Sequence, residues 1–277
     1  MKEHAIESPA LSLRRYGAVS ASDVHAFHQI VLGLDGAMEM AVDGVLHPID
    51  AHHAWLIPAG SRHEYAGVGE NRQLVLDLPC ASLALPERFF SRARPLTMNT
   101  ALTRVVGEAA SHAARIDALA GVGNPSCAAA GDDSEEGASL GARPVRRLAW
   151  ETAARFAAIL GDTLGIEAPA SRFDCARIDK WLRAHLSEPL RVLDLAEHCG
   201  LGERRFHQLF DEAFGTTPHR YLQRLRLDTA LTLLGDRRRT LIDVALMVGF
   251  ADQSTFTHAF TRRFGLAPGQ WRAMKLH

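Results

Sequence analysis

Residues 195–222 read LAEHCGLGERRFHQLFDEAFGTTPHRYL, and residues 245–272 read ALMVGFADQSTFTHAFTRRFGLAPGQWR. Laid over each other at an offset of 50, Phe206, Phe210, Phe214, Gly215, Pro218 and Tyr221 meet Phe256, Phe260, Phe264, Gly265, Pro268 and Trp271. Slightly upstream the offset is 49, where Leu195, Ala196 and Gly200 meet Val244, Ala245 and Gly249. The second copy therefore carries one extra residue between its glycine and its aromatics. Agreement over so many aromatic, glycine and proline positions marks an internal repeat.

Each copy has the anatomy of a helix-turn-helix. A short helix carries a small residue, Ala196 or Ala245, where a second helix must come close. A glycine follows, Gly200 or Gly249, at a turn that calls for positive φ. The next helix spaces its aromatics by four residues and stops at Gly215 or Gly265, where a C-cap favours glycine. Thr240-Leu-Ile-Asp243 fits a capping box at the head of the second copy. The first copy has Arg191 there and is expected to lack that cap.

With the phenylalanines facing inward, the opposite face of each second helix is fixed by the helical period. In the first copy it presents Arg204, His207, Gln208 and Asp211, with Arg205 at its margin. In the second it presents Gln253, Ser254, Thr257 and His258, with Thr255 flanking and Arg262 further along. A face turned only to water is commonly Glu and Lys. Arg, Gln, Ser, Thr and His are the side chains that bond base edges and phosphates in a major groove. The segment Pro218–Leu234 reads as a rigid helix holding two readers apart. Arg220, Arg224, Arg226 and Arg237-Arg238-Arg239 are available to phosphates, or simply stand in water.

Charge agrees. Residues 171–277 hold 17 Lys+Arg against 12 Asp+Glu, a net of +5, whereas residues 1–170 hold 14 against 20, a net of −6. A polyanion partner is thus expected at one end only.

On these two quoted segments, the last hundred or so residues resemble the DNA-binding domain of AraC/XylS-type bacterial transcription regulators. The resemblance implies an all-α double helix-turn-helix over 169–277, with its two motifs near 192–214 and 241–264. It implies a reader whose two recognition helices enter successive major-groove segments on one face of double-stranded DNA. By position, Arg204, Arg205, His207 and Gln208 would touch DNA from the first helix. Gln253, Ser254, Thr255, His258 and Arg262 would do so from the second.

From His25 to Leu78 the period is two, with Met38, Met40 and Val42 on one face and the Asp43-Gly44 pair predicting a tight hairpin turn. Short strands joined by Gly/Pro turns are expected to close into a small barrel over residues 1–85. In the resembled family such a region is a cupin-like sensor of a small molecule. Pro58-x-Gly60-x-x-His63 matches part of a cupin metal motif, with His28 near the place of a first histidine and Ile30 where a second would fall. A metal would need a third ligand from His47, His52, His53 or Glu64. The expectation is therefore no metal and no cofactor. His28 and His63 are expected either to line an effector pocket with Met38, Trp55 and Tyr65, or to satisfy local hydrogen bonds, the three others also suiting the core.

Between these ends, residues 86–168 turn helical. Leu102, Val105, Val106, Ala109, Ala113, Ile116 and Ala120 form one stripe, and a second helix is expected from Pro144 to Leu164. Residues 121–143, rich in Gly, Ala, Asp and Ser, read as a flexible loop. The two stripes suit packing on the barrel or on each other, or a homodimer surface. No run approaches the roughly 18 apolar residues of a membrane helix, and the N-terminus lacks a signal-peptide core. Cys80, Cys127, Cys175 and Cys199 show no metal spacing, so a reduced cytoplasm is expected. The fold class is therefore α+β multidomain. The function expected is an effector-responsive, DNA-binding regulator, an activator that engages RNA polymerase and is not an enzyme. The rival is a metal-dependent cupin enzyme fused to a DNA-binding module.

Overall fold

The computed structural model describes residues 6–80, 82–120, 139–163 and 173–274. Contacts divide them into two compact units, one drawn from Met1–Cys80 and Arg92–Thr152, the other from Ala81–Ser91 and Ala153–Met274.

The first unit is built on a seven-stranded antiparallel sheet. Its spine is two long strands, β3 (His28–Val42) and β6 (His63–Leu78), paired along their whole length with register shifts between Gly33 and Ala37. There the pair bends: Gly36 has φ 65°, and a Cβ on Gly33 would sit 2.0 Å from the Asp50 carbonyl oxygen. On one side of the bend lie β1 (Ala10–Arg14) against β6 and β5 (His53–Ile57) against β3, with β7 (Arg94–Thr97) outside β5. On the other lie β2 (Ala21–Asp23) against β6 and β4 (Val45–Ile49) against β3. The β3–β4 turn is Asp43-Gly44, both at positive φ (51° and 80°), as a type I′ hairpin requires.

The expected barrel does not form; the sheet is open. The strand path runs β1-β6-β3-β5-β7 and ends there, with β2 and β4 as side branches. The outer strands explain it. β7 contains Pro95 and β4 contains Pro48, which have no N–H to offer a further ladder, and β2 has only three residues. Closure needs paired edges, and these edges are blunted. The expectation of a cupin-like barrel is thereby corrected.

Both sides of the spine are apolar. Leu11, Leu76, Ile30 and Leu56 stand in one cross-strand row. Helix α1 (Thr100–Ala120) packs on β1 and β3 and buries Leu102, Val105, Val106, Ala109 and Ala113 of the stripe read from the sequence; the side chains of Ile116 and Ala120 lie outside the described residues. Helix α2 runs Ser139–Thr163 and starts five residues before the expected Pro144, which is accommodated inside it. The rest of the expected 121–143 loop lies outside the described residues. Among the described residues no helix is long and apolar enough to cross a membrane.

The second unit is helical: α3 (Cys175–Ala184), α4 (Val192–His198), α5 (Glu203–Phe214), α6 (Pro218–Leu234), α7 (Leu241–Met247), α8 (Gln253–Phe264) and α9 (Pro268–Ala273). Its core is the sequence repeat built twice. Phe206, Phe210 and Phe214 are buried with Tyr221, and Phe256, Phe260 and Phe264 with Trp271. Ring centroids lie 4.7 Å apart for Phe214–Tyr221 and 5.4 Å for Phe264–Trp271. Phe173 joins the first cage and Phe250 the second.

Candidate nucleic-acid interface

Each helix-turn-helix is set by its turn and caps. Gly200 (φ 65°) and Gly249 (φ 82°) make the turns, and Gly215 and Gly265 end α5 and α8 in the left-handed conformation. Helix α7 opens on the expected box: the Asp243 N–H donates to Thr240 Oγ1 (3.1 Å), and the Thr240 N–H to the Asp243 carboxylate (2.9 Å). At α4, Arg191 offers no side-chain cap, yet half of a box survives, because the Asp194 carboxylate accepts the Arg191 N–H at 3.0 Å.

With the phenylalanines buried, the expected faces are exposed. Arg204, Arg205, His207 and Gln208 stand on α5, with Leu209 half-buried beside them. Arg205 donates to Gln208 Oε1 (2.9 Å), and Gln208 Nε2 to Glu212 Oε1 (2.9 Å). Glu212, unforeseen, thus orients the Gln208 amide; it lies one helical turn on, the only signal that could have singled it out.

On α8, Gln253, Ser254, Thr257, His258, Thr261 and Arg262 line a concavity of about 680 Å³. Thr261 was also unforeseen, although its place three residues after His258 puts it on the same stripe. Thr255 is exposed but already engaged, since its N–H and hydroxyl both donate to the Asp252 carboxylate (2.7 and 2.9 Å). That cap holds the Asp252 carboxyl below its usual range and fixes the first turn of α8.

The arginines divide by role. Arg226 donates to the carbonyls of Leu186 (3.1 Å) and Glu188 (2.8 Å), and Arg239 pairs with Asp236 (3.0 Å), so both are structural. Behind α8, Arg263 pairs with Asp228 of α6, a carboxylate 5% exposed, and also donates to the Ser82 carbonyl (2.9 Å). Asp228 accepts the Ala84 N–H (3.0 Å). The Tyr221 hydroxyl donates its one proton chiefly to Asp179 (2.6 Å), with the Ala84 carbonyl a longer, shared acceptor at 3.2 Å. Burial pushes the Asp228 carboxyl up, while Arg263 and the Ala84 amide pull it back. The segment around residues 82–84, with the 3-10 turn Glu87–Phe90 on α5, is thus stitched into the helical unit.

In the sheet unit, Met38 and Trp55 are sealed in an apolar cluster with Val31, Met40, Val42, Ile49, Ile57 and Val75, and Tyr65 packs partly buried against it. His28 and His63 instead brace the Pro58–Arg62 turn. The Ala59 N–H donates to His28 Nδ1 (3.0 Å), and His63 Nδ1–H to the Ser61 carbonyl (3.2 Å). His25, unforeseen, completes the brace: its carbonyl accepts the Gly60 N–H (2.8 Å), and its ring lies 5.0 Å from that of His63.

Comparison with known proteins follows the same division. Residues 195–274 match a helix-turn-helix domain family. The chain is similar to the probable transcriptional regulator LumQ of Photobacterium leiognathi, 26% identical over 96% of this chain and 98% of that protein. It is 37% identical to the HTH-type transcriptional activator RhaR of Klebsiella pneumoniae subsp. pneumoniae, over 38% of each chain. A solved AraC-type regulator from Chromobacterium violaceum covers 35% of this chain and 86% of its own, at 29% identity and a TM-score of 0.33. Both of these relatives are described as transcriptional regulators. The C-terminal part of the chain is a helix-turn-helix domain similar to those of these transcriptional regulators.

Proposed function

We propose that the protein is a cytoplasmic, effector-responsive transcription regulator that reads promoter DNA with α5 and α8. Arg204, Arg205, His207 and Gln208 would contact one major-groove segment, and Gln253, Ser254, Thr255, His258 and Arg262 the next. The observation that carries this reading is the doubling. Two copies of one aromatic cage each turn outward a face of Arg, Gln, Ser, Thr and His, the donors and acceptors that base edges match.

In this proposal residues 1–85 sense, 86–168 self-associate as a homodimer, and 169–277 read DNA. The effector would be a small molecule taken by the sheet unit. Met38, Trp55 and Tyr65 would supply apolar contact, and His28 and His63 would respond through the turn they brace. Effector binding changes promoter occupancy by favouring one of two states. Activation through RNA polymerase is the output proposed, after relatives described as activators.

The test is Arg204→Ala combined with His258→Ala in the full chain, measured on a promoter site recovered by footprinting from genomic fragments. Loss of each direct base contact should cost about 1–3 kcal/mol. Promoter binding unchanged in the double variant would remove α5 and α8 as the reading faces.

A further inference from the structure

Beside the α8 reading face is a second cleft, of about 260 Å³, between α6 and α8. Its rim carries Arg220, Gln223 and Arg224 from α6, and Arg262 and Arg263 from α8; Leu227 and Ala259, both buried, floor it. Four guanidinium groups thus converge on one small space. Arg263 is already matched by Asp228. Arg220, Arg224 and Arg262 have no ion pair or side-chain hydrogen bond among the described residues. Arg224 is half-buried; its charge is opposed first by burial, then by Arg263 and Arg220, against partial support from Asp228 and Glu87.

Four guanidinium groups with the Asp228 carboxylate as their one ion-pair partner among the described residues leave positive charge in excess, and the arrangement becomes more favourable when an anion enters. Their planar forks suit phosphate oxygens, which accept paired N–H bonds, and the Gln223 amide adds a further donor. The space is far too small for a duplex and has room for one phosphodiester unit. Arg262 fixes which one, because it lines both this cleft and the concavity where α8 reads. We infer that the α6–α8 cleft clamps a single backbone phosphate of the DNA whose bases α8 reads, setting the register of that helix in the groove. This rests on the DNA reading proposed above. Contacts of this kind position a reader without informing its choice of bases.

The test uses the full chain on the site its wild type protects. The double variant Arg220→Gln, Arg224→Gln is compared with Arg104→Gln, Lys180→Gln, which removes the same charge from exposed positions on α1 and α3. The cleft variant should bind roughly tenfold or more weakly at an unshifted footprint, and its log–log salt slope should fall by about one. The control should move neither quantity. Neutral methylphosphonates are then placed one at a time across the site. One position should weaken the wild type and leave the cleft variant unaffected.

If the two variants behave alike, or if no single phosphate shows that non-additivity, the clamp is overturned. Saturable binding of inorganic phosphate to the wild type without DNA, lost in the cleft variant while the methylphosphonate scan stays flat, assigns the cleft to a free phosphate compound and overturns it too. A wild type that protects no DNA site at all sinks the reading beneath the clamp, an outcome visible before any variant is made.

Discussion

Gly249 is constrained twice. Its φ of 82° is one that side chains with a Cβ adopt at a cost, and a Cβ there would lie 2.3 Å from the Leu186 carbonyl oxygen and 2.6 Å from Arg226 Nη2. Gly200, its counterpart, has φ 65° and open space around it. Gly200→Ala should therefore cost about 1–2 kcal/mol from backbone conformation alone, and Gly249→Ala distinctly more, by urea unfolding of the full chain. Equal costs would mean that the Arg226 anchor yields without penalty. Both glycines are visible in the sequence as turn positions; the carbonyl that crowds only one of them comes from a residue 63 positions away and leaves no trace there. His63 shows the same limit. The sequence left it between a pocket lining and local hydrogen bonds, and the folded chain gives its Nδ1–H to the Ser61 carbonyl on the turn next to it. Burial holds its imidazole below the ordinary value of 6.5, with His25 adding to the effect. An imidazole kept neutral in the fold contributes stability that is complete above pH 6.5 and is lost as the pH falls through its depressed value. Unfolding measured against pH should show this acid-side loss, and His63→Gln should flatten it.

Among elements, the α6 helix bears the most. It joins the two helix-turn-helix motifs, carries Tyr221 into the first aromatic cage, and presents Asp228 to Arg263 and to the Ala84 amide. Asp228→Ala leaves a nearly buried guanidinium without its partner and should cost about 3–5 kcal/mol. Tyr221→Phe loses only the hydroxyl bonds to Asp179 and Ala84 and should cost about 1–3 kcal/mol. Chemical denaturation of the two variants, followed by near-ultraviolet circular dichroism, checks both values; the reverse order would put the weight of the network on the hydroxyl. Helices α5, α7 and α8 were legible because their signals are local: aromatics every four residues, a capping pair, a terminal glycine. The strands between His28 and Leu78 were legible for the same reason; β1 and β2 were not read, and β7 falls in a stretch expected to be helical. Whether they close is not a local property. It depends on which edges meet, and Pro48 and Pro95 spoil edges that the alternation of Met38, Met40 and Val42 would have let pass.

At the scale of the whole chain, units and sequence order are out of step. Residues 82–91 sit between β6 and β7 in sequence, yet their contacts belong with residues 153–274. A fragment beginning at residue 153 therefore lacks the acceptor at Ser82 and the donor at Ala84 that Arg263 and Asp228 use. Adding a peptide of residues 82–91 to that fragment should raise its Tm in proportion to peptide occupancy, and should do so less for Asp228→Asn. A peptide without effect would show that the stitching contributes nothing measurable. Charge asymmetry belongs to this scale as well and was plain from composition; the interleaving was not, since no periodicity marks which unit a connection will join. Its consequence concerns inheritance. A recombination event that carries away the last third of the gene leaves behind a piece the helical unit is built around, so this reader is not a portable cassette. The sheet unit and the helical unit are obliged to be exchanged together, or to change together at Ser82, Ala84, Asp228 and Arg263.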